Sequence, residues 1–146
     1  TADTHAENDP EFSDWPGHCI AGTIGQRKAE ATLVERRVAM PADSSVVPVH
    51  APQIVVEKNV IELMEAGNLR AAIDALEAER WVVYGVVTEY CVRAAAMGLL
   101  RPDRHVEVVV DAIETLDPEK SRRVLEAFTA AGGRLTMTAQ ALRYAG

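Results

Sequence analysis

The pattern of apolar and polar positions predicts alternating strands and helices from residue 53 onward. Nearly continuous apolar runs at 53–56, 81–87 and 105–110, rich in β-branched residues, are typical of buried strands. The run 81–87 has almost no polar position, as expected of a strand that is covered on both faces. Apolar residues at helical spacing over 69–79, and an Ala-rich segment at 89–100, predict helices between these strands.

Helix-start and helix-stop residues agree with these boundaries. Asn68 and Thr88 are suited to cap the two helices, because short polar side chains accept hydrogen bonds from the first backbone N–H groups. Asp117 followed by Pro118 is a strong start signal for a third helix. That helix is expected to end near residue 131, before Gly132-Gly133. A short edge strand at 134–137 and a final helix at 138–144 are expected to follow.

The order of the elements predicts an α/β fold with a mostly parallel sheet and helices on both of its faces. Working residues in such folds lie at the carboxyl ends of the strands. Lys58, the segment 88–91 and Asp111 occupy these ends. For Asp111 we favour a structural role, a hydrogen bond to neighbouring backbone, over catalysis. Trp81 begins a buried strand and is also expected to be structural.

The first part of the chain has a different character. Residues 1–25 are rich in Asp, His, Pro, Gly and Trp and show neither helical nor strand periodicity, which predicts a long structured loop. Loops of that length in compact domains are usually functional. The stretch 28–37 is compatible with a helix, whereas the proline-bounded segment 41–52 is predicted to be irregular.

Composition narrows the class of protein. With 146 residues, 48% of them hydrophobic, the chain is expected to form one globular domain over residues 1–146. A net charge of −7 argues against a nucleic-acid partner. The sequence contains neither an apolar run of the ~18 to 20 residues that span a bilayer nor a secretory leader. We therefore predict a cytoplasmic protein that does not associate with membranes.

The two cysteines differ in their surroundings. Cys91 follows a strand and would lie in the first turn of a helix, where the helix dipole and backbone N–H groups stabilise a thiolate. It is either a nucleophile or, as for most free cysteines, a small buried apolar residue. Cys19 lies in the N-terminal loop beside His18 and is expected to be structural. Two cysteines are too few for a disulfide framework or an all-thiolate zinc site.

Two segments resemble one known family. Gly85-Val86-Val87-Thr88-Glu89-Tyr90-Cys91-Val92 resembles the nucleophile segment of the isochorismatase-like cysteine hydrolases, especially of the nicotinamidases. Asp3-Thr4-His5, with Phe12-Ser13-Asp14-Trp15-Pro16-Gly17-His18-Cys19 and Gly22-Thr23-Ile24-Gly25 after it, is similar to the metal-binding segment of the same group. The two segments occur in the family's order, and the resemblance extends over essentially the whole chain.

The resemblance implies a three-layer α-β-α fold and a set of catalytic residues. Cys91 corresponds to the nucleophile and Lys58 to the catalytic lysine. The Val86–Val87 peptide is expected to be cis, so that the N–H groups of Val87 and Cys91 face the carbonyl oxygen of the substrate. The family's third catalytic residue is an Asp on an initial strand, so we expect the N-terminal strand and helix that carry it to be missing before Thr1.

A metal site is also expected in the N-terminal loop. Asp3 and His5 are two residues apart, so in extended backbone both side chains point the same way and can share one ion. By resemblance His18 supplies a second imidazole, and Glu11 occupies a position where the family has a His or an acidic ligand. Carboxylates and imidazoles together suit zinc, iron or manganese.

Trp15 and Tyr90 each have two interpretations. Trp15 either packs in the loop or, as the resemblance suggests, lies against the ring of the substrate. Tyr90 either forms a wall of the substrate pocket or lies on a helix surface. His50 and His105 have no ligand-like neighbours in sequence and are not expected to bind metal.

Three hypotheses for function follow. The first is a nicotinamidase-like amidohydrolase that converts nicotinamide to nicotinate and ammonia through a thioester on Cys91. The second keeps the nucleophile but changes the substrate to another small amide or a carbamoyl compound. The third is a truncated, non-catalytic member that acts only as a structural or binding unit. The resemblance also makes a homo-oligomer plausible.

Overall fold

The computed structural model describes residues 1–144, which divide into two compact units. The first unit contains Thr1–Val60 and Met64–Leu76, and the second contains Ile61–Leu63 and the chain from Glu77 onward. The prediction of one domain over residues 1–146 stays a prediction. Among the described residues, no helix has the length and apolar character needed to cross a membrane.

The first unit contains a parallel sheet of three short strands. They are β1 (Ala2–Asp3), β2 (Arg37–Met40) and β3 (Gln53–Lys58), with β3 in the middle. The pairing of β1 with β3 is parallel and sets Asp3 opposite Lys58. This register brings together the first loop and a strand end that are far apart in sequence.

Helix α1 (Gly67–Leu76) belongs to the same unit. Its residues Leu69, Ala72 and Ile73 are buried, in agreement with the predicted apolar face. Asn68 lies inside the helix rather than before it, and its buried amide donates hydrogen bonds to the carbonyl oxygens of Pro41 and Glu57. The predicted cap is therefore better described as a polar tie from the helix to two other segments.

The second unit contains another parallel sheet. Its strands are β4 (Arg80–Val86), β5 (His105–Glu114) and β6 (Arg134–Thr136), with β5 in the middle and β6 at an edge, as predicted. The core of this unit includes buried apolar residues from the strands and helices: Val83, Leu99, Val106, Val108, Val109 and Phe128. Strand β5 continues four residues beyond the predicted end at 110, so Asp111 lies within it.

Three helices accompany this sheet. They are α2 (Arg93–Leu99), α3 (Pro118–Ala130) and α4 (Thr138–Ala141), and a further helical turn at Leu142–Tyr144 follows α4. Helix α3 begins as predicted, since the Asp117 carboxylate accepts hydrogen bonds from the backbone N–H groups of Glu119 and Lys120. The chain leaves α3 through Gly132, whose φ of +99° is a conformation that favours glycine.

Three predictions about local structure are wrong. Residues 28–37 do not form a helix, because a short turn at Glu30–Thr32 is followed by strand β2. Strand β4 is not covered on both faces, since the alternate residues Val82, Tyr84 and Val86 are exposed. Thr88 does not cap the helix after β4, because its hydroxyl donates instead to the carbonyl oxygen of Glu114. The mixed α/β class with parallel strands is confirmed.

Candidate active site

Cys91 lies in a helical turn that follows strand β4 directly. The turn, Thr88–Val92, is wound more widely than an α-helix and continues into α2. It is closed by backbone hydrogen bonds from Tyr90 N (3.1 Å) and Val92 N (3.2 Å) to the carbonyl oxygen of Val87. The Val86–Val87 peptide is cis, as the resemblance implied. Cys91 is half-buried and not in a disulfide.

Two side chains of this turn bind the segment that follows β5. The Thr88 hydroxyl donates to the carbonyl oxygen of Glu114 at 2.8 Å. The Glu89 carboxylate accepts hydrogen bonds from the Thr115 hydroxyl (2.8 Å) and from the backbone N–H groups of Leu116 (3.0 Å) and Asp117 (2.9 Å). Both Thr88 and Glu89 are buried. The turn that carries Cys91 is thus fastened to the start of α3.

The hydrogen bonds keep the Glu89 carboxylate ionised. Burial acts to raise the pKa of this carboxyl group, because a charge is costly to remove from water. Hydrogen bonds from its own backbone, from Thr115, from Leu116 and from Asp117 outweigh burial and leave the pKa below its ordinary value. The Glu89 carboxylate is therefore a charged structural part of the turn. Its sequence context did not indicate this role.

Lys58 is a buried cation at the end of β3. Its side chain is 4% exposed, and its ammonium group contacts the Asp3 carboxylate and donates to the carbonyl oxygen of Val60 at 3.0 Å. The Asp3 side chain is 30% exposed. Burying a lysine charge requires such a partner. Lys58 therefore has a carboxylate partner at the strand end where the sequence predicted a working residue.

Three side chains of the N-terminal loop form a group that could hold a metal ion. Each of His5, Glu11 and His18 offers one ligand atom, and these atoms all lie within 4.8 Å of one another. His18 Nε2 is 3.7 Å from Glu11 Oε1, and the two imidazole centroids are 4.8 Å apart. Two imidazoles and a carboxylate suit zinc, iron or manganese, so the residues fit the expected ion. Asp3, which contacts Lys58, is not in this group, and its role as a ligand stays a prediction.

The backbone of this loop is shaped by short turns. Glu11 lies in a turn, Pro10–Ser13, that begins after Asp9. The ring of Phe12 packs against both imidazoles, with its centroid 5.6 Å from that of His5 and 5.6 Å from that of His18. His5 is almost completely buried, at 2% exposed. The imidazoles are therefore fixed by packing.

Asp9 is a residue that the sequence analysis missed. Its Oδ2 lies 3.1 Å from His5 Nδ1, and its Oδ1 accepts the backbone N–H of Glu11 at 3.0 Å. An acidic residue before a proline is a recognisable start signal for a helical turn, and this signal could have been read for Asp9 and Pro10. Its spacing of four residues from His5 carried no such signal.

The other candidate residues have less decisive surroundings. Trp15 and Tyr90 are half-buried, so neither of their two interpretations is decided. Asp111 accepts hydrogen bonds from the backbone N–H (2.8 Å) and hydroxyl of Thr138, which agrees with its predicted structural role. Trp81 donates from Nε1 to the Ala78 carbonyl oxygen at 2.8 Å.

Together these features define an α/β protein with a cysteine on a strand-to-helix turn and, in its first loop, three side chains that could hold a metal ion. A family model described as the isochorismatase domain matches residues 25–140. The chain belongs to the isochorismatase family. No curated protein sequence matches the chain significantly.

Solved structures agree with this assignment. An isochorismatase-like hydrolase from Alkaliphilus metalliredigens has 18% identity and a TM-score of 0.77, covering 99% of this chain and 71% of its own. The pyrazinamidase of Pyrococcus horikoshii in complex with zinc has 26% identity and a TM-score of 0.70, with coverages of 93% and 72%. A nicotinamidase from Bacillus subtilis has 19% identity and a TM-score of 0.70, with coverages of 92% and 71%.

These similarities define the fold and the family. The fold is the isochorismatase-like fold, and its structural neighbours include proteins described as a hydrolase, a pyrazinamidase and a nicotinamidase.

Proposed function

We propose that the chain is a cysteine-dependent amidohydrolase that converts nicotinamide to nicotinate and ammonia. The observation that carries the proposal is the position of Cys91, half-buried in the turn that directly follows β4. A family member with its cysteine on such a turn has the nucleophile that amide hydrolysis requires. The zinc-bound pyrazinamidase, at 26% identity, supports a pyridine-like amide as the substrate class.

In the proposed reaction the Cys91 thiolate attacks the carboxamide carbon. The C–N bond breaks, the amide nitrogen takes a proton from solvent and leaves as ammonia, and a thioester remains on Cys91. Water then attacks the thioester carbon and gives up its two protons to solvent, which releases nicotinate and returns the thiolate. We assign the N–H groups of Val87 and Cys91 to the oxyanion that develops at the carbonyl oxygen. We assign Lys58 the stabilisation of negative charge during these steps.

His5, Glu11 and His18 would hold the divalent metal ion, with Asp3 as a further proposed ligand. When bound, such an ion supplies a Lewis-acidic site to which a ring nitrogen can coordinate and so orient the carboxamide. Zinc, iron and manganese all fit these donors.

We propose that Trp15 and Tyr90 contact the ring of the substrate. We also propose that the enzyme is cytoplasmic and that it forms a homo-oligomer.

A second candidate keeps Cys91 and changes the substrate to another small amide or a carbamoyl compound. Metal content decides between the two candidates, because coordination of a ring nitrogen is what favours nicotinamide. A non-catalytic member is the third candidate, and it predicts no ammonia release from any amide.

The test is ammonia release from nicotinamide by the purified protein, with and without a chelator. Cys91→Ala should lower the rate by about 10³-fold or more, because the nucleophile is lost. Cys19→Ala is the matched control, since Cys19 is also a half-buried cysteine outside any disulfide, and it should retain activity. Turnover retained by Cys91→Ala would exclude the proposed mechanism. Turnover of a carbamoyl compound but not of nicotinamide would favour the second candidate.

A further inference from the structure

Both carboxylate oxygens of Asp9 form hydrogen bonds to residues of the His5–Glu11–His18 group, which could hold a metal ion. Oδ2 bonds to the Nδ1 atom of His5 at 3.1 Å, and Oδ1 accepts from the backbone N–H of Glu11 at 3.0 Å. Asp9 also precedes the Pro10–Ser13 turn, which carries Glu11. One side chain thus fixes the ring of one donor residue and the backbone of another.

The bond between Asp9 and His5 determines which imidazole nitrogen can bind a metal. An ionised carboxylate can only accept a hydrogen bond, so the shared proton belongs to Nδ1 of His5. The lone pair of the His5 ring is therefore on Nε2, and burial of His5 keeps water from replacing Asp9.

His18 has the same arrangement with a different partner. Its Nδ1 lies 2.9 Å from the carbonyl oxygen of Pro16, which can only accept, so this ring also carries its proton on Nδ1. Its Nε2 is the nitrogen that faces Glu11 Oε1. Histidines that bind metals almost always donate their other ring N–H to a carboxylate or a backbone carbonyl. His5 and His18 show one example of each.

We propose that Asp9 is the positioning residue of the metal centre, which holds His5 in the Nδ1–H form with Nε2 ready to bind the ion. The inference rests on the proposed metal site formed by His5, Glu11 and His18. It assigns Asp9 no contact with the ion or the substrate. Its effect is on the affinity for the metal, through the orientation and protonation of His5.

A purely structural role for Asp9 would be to cap the Pro10–Ser13 turn. Asn caps helical turns about as well as Asp, so Asp9→Asn separates the two roles. If the Asn oxygen accepts from Glu11, its NH₂ group faces His5 Nδ1, and a donor there favours the Nε2–H form of the ring. If the amide is reversed, the bond to Glu11 is lost instead. The first orientation keeps both contacts once the ring changes to the Nε2–H form, so it is the orientation expected in Asp9→Asn.

The experiment measures the Zn²⁺ dissociation constant of the full chain by competition with a chelating indicator at fixed pH. Asp9→Asn should weaken zinc binding by about 10- to 100-fold, the usual cost of losing such an outer partner. Asp14→Asn is the matched control. It removes the same charge from the same loop, at a residue that is exposed. Its affinity should stay within about twofold of wild type, as expected for a surface substitution.

A second readout does not depend on the metal, and its wild-type measurement does not depend on folding of the variant. In the metal-free wild-type protein, ¹⁵N NMR of the imidazoles should show His5 as the Nδ1–H form, and in Asp9→Asn it should show a larger share of the Nε2–H form. A wild-type His5 in the Nε2–H form would overturn the inference.

The outcomes distinguish this inference from the proposed function. Equal zinc affinity of Asp9→Asn and Asp14→Asn would overturn it and leave the metal centre standing. A wild-type protein that binds no zinc would overturn it together with the metal centre. Weaker zinc binding by Asp9→Asn in a protein that releases no ammonia from nicotinamide would support it while rejecting the substrate.

Discussion

The carboxylate of Glu89 accepts a hydrogen bond of 2.8 Å from the hydroxyl of Thr115, a residue 26 positions further along the chain. The same carboxylate also binds the backbone N–H groups of Leu116 and Asp117. Glu89 is two residues before Cys91, so the turn that carries the proposed nucleophile is joined to the start of α3 by one buried acidic side chain.

We expect Glu89→Gln to lower the free energy of unfolding by about 1.5 to 3 kcal/mol, since hydrogen bonds to a charged group contribute that much. The amide oxygen of Gln can replace only part of the acceptor capacity of a carboxylate. Urea unfolding at neutral pH measures the loss. Glu126→Gln is the control, because Glu126 forms an exposed ion pair with Arg122, and such pairs contribute about 0 to 1 kcal/mol. Equal losses in the two variants would contradict the assignment.

The stabilisation by Glu89 should also depend on pH. Folding lowers the pKa of this carboxyl group from its ordinary value of 4.5. Its contribution is therefore fully present above that value and is lost as the pH falls through the lower pKa of the folded state. The difference in unfolding free energy between wild type and Glu89→Gln should narrow as the pH is taken below 4.5. Parallel stability curves down to pH ~2 would contradict this.

Gly133 lies against the ring of Phe128, which is 1% exposed. A Cβ atom at position 133 would be 2.2 to 2.5 Å from three ring carbons, so the ring or the backbone would have to move. Gly133→Ala should therefore destabilise the chain by about 1 to 3 kcal/mol, the usual cost of overpacking. Gly67→Ala is the control, since an added Cβ there meets no described atom within 4 Å. Urea unfolding of both variants checks the contrast.

The elements that the sequence predicted well are those with local signals. The start of α3 is predicted by Asp117 and Pro118 alone. The turn that carries Cys91 is predicted by an apolar run followed by a helical segment. Strand β2 was missed because it is four residues long and mostly exposed, and its apolar run, Val38-Ala39-Met40, has only three residues. Its strand character comes from parallel pairing with β3, which local patterns do not encode.

Side-chain partners at the candidate site were harder to predict than residue positions. The i, i+2 spacing of Asp3 and His5 suggested a shared ion, whereas in the structure the Asp3 carboxylate contacts Lys58, 55 positions away. That contact follows from the β1–β3 register, which is a property of the folded sheet. The tie between Asp9 and His5 depends on the turn conformation, so the spacing alone did not reveal it.

Removing either partner of the Asp3–Lys58 pair should lower the free energy of unfolding by a different amount. Lys58 is 4% exposed and Asp3 is 30% exposed, so water can solvate the carboxylate but not the ammonium group. Asp3→Ala leaves a buried charge without this carboxylate and should cost about 3 kcal/mol of unfolding free energy. Lys58→Met removes the buried charge itself and should cost less than about 1.5 kcal/mol, because apolar replacement of a buried charge is often nearly neutral.

The double variant completes the test. Once Lys58 is replaced by Met, removal of the Asp3 carboxylate has little further effect, so the double variant should resemble Lys58→Met alone and be more stable than Asp3→Ala. Urea unfolding at neutral pH, with a chelator present so that any metal-binding role of Asp3 does not contribute, measures all three. Equal losses in the two single variants, or additive losses in the double variant, would show that the pair does not neutralise a buried lysine charge.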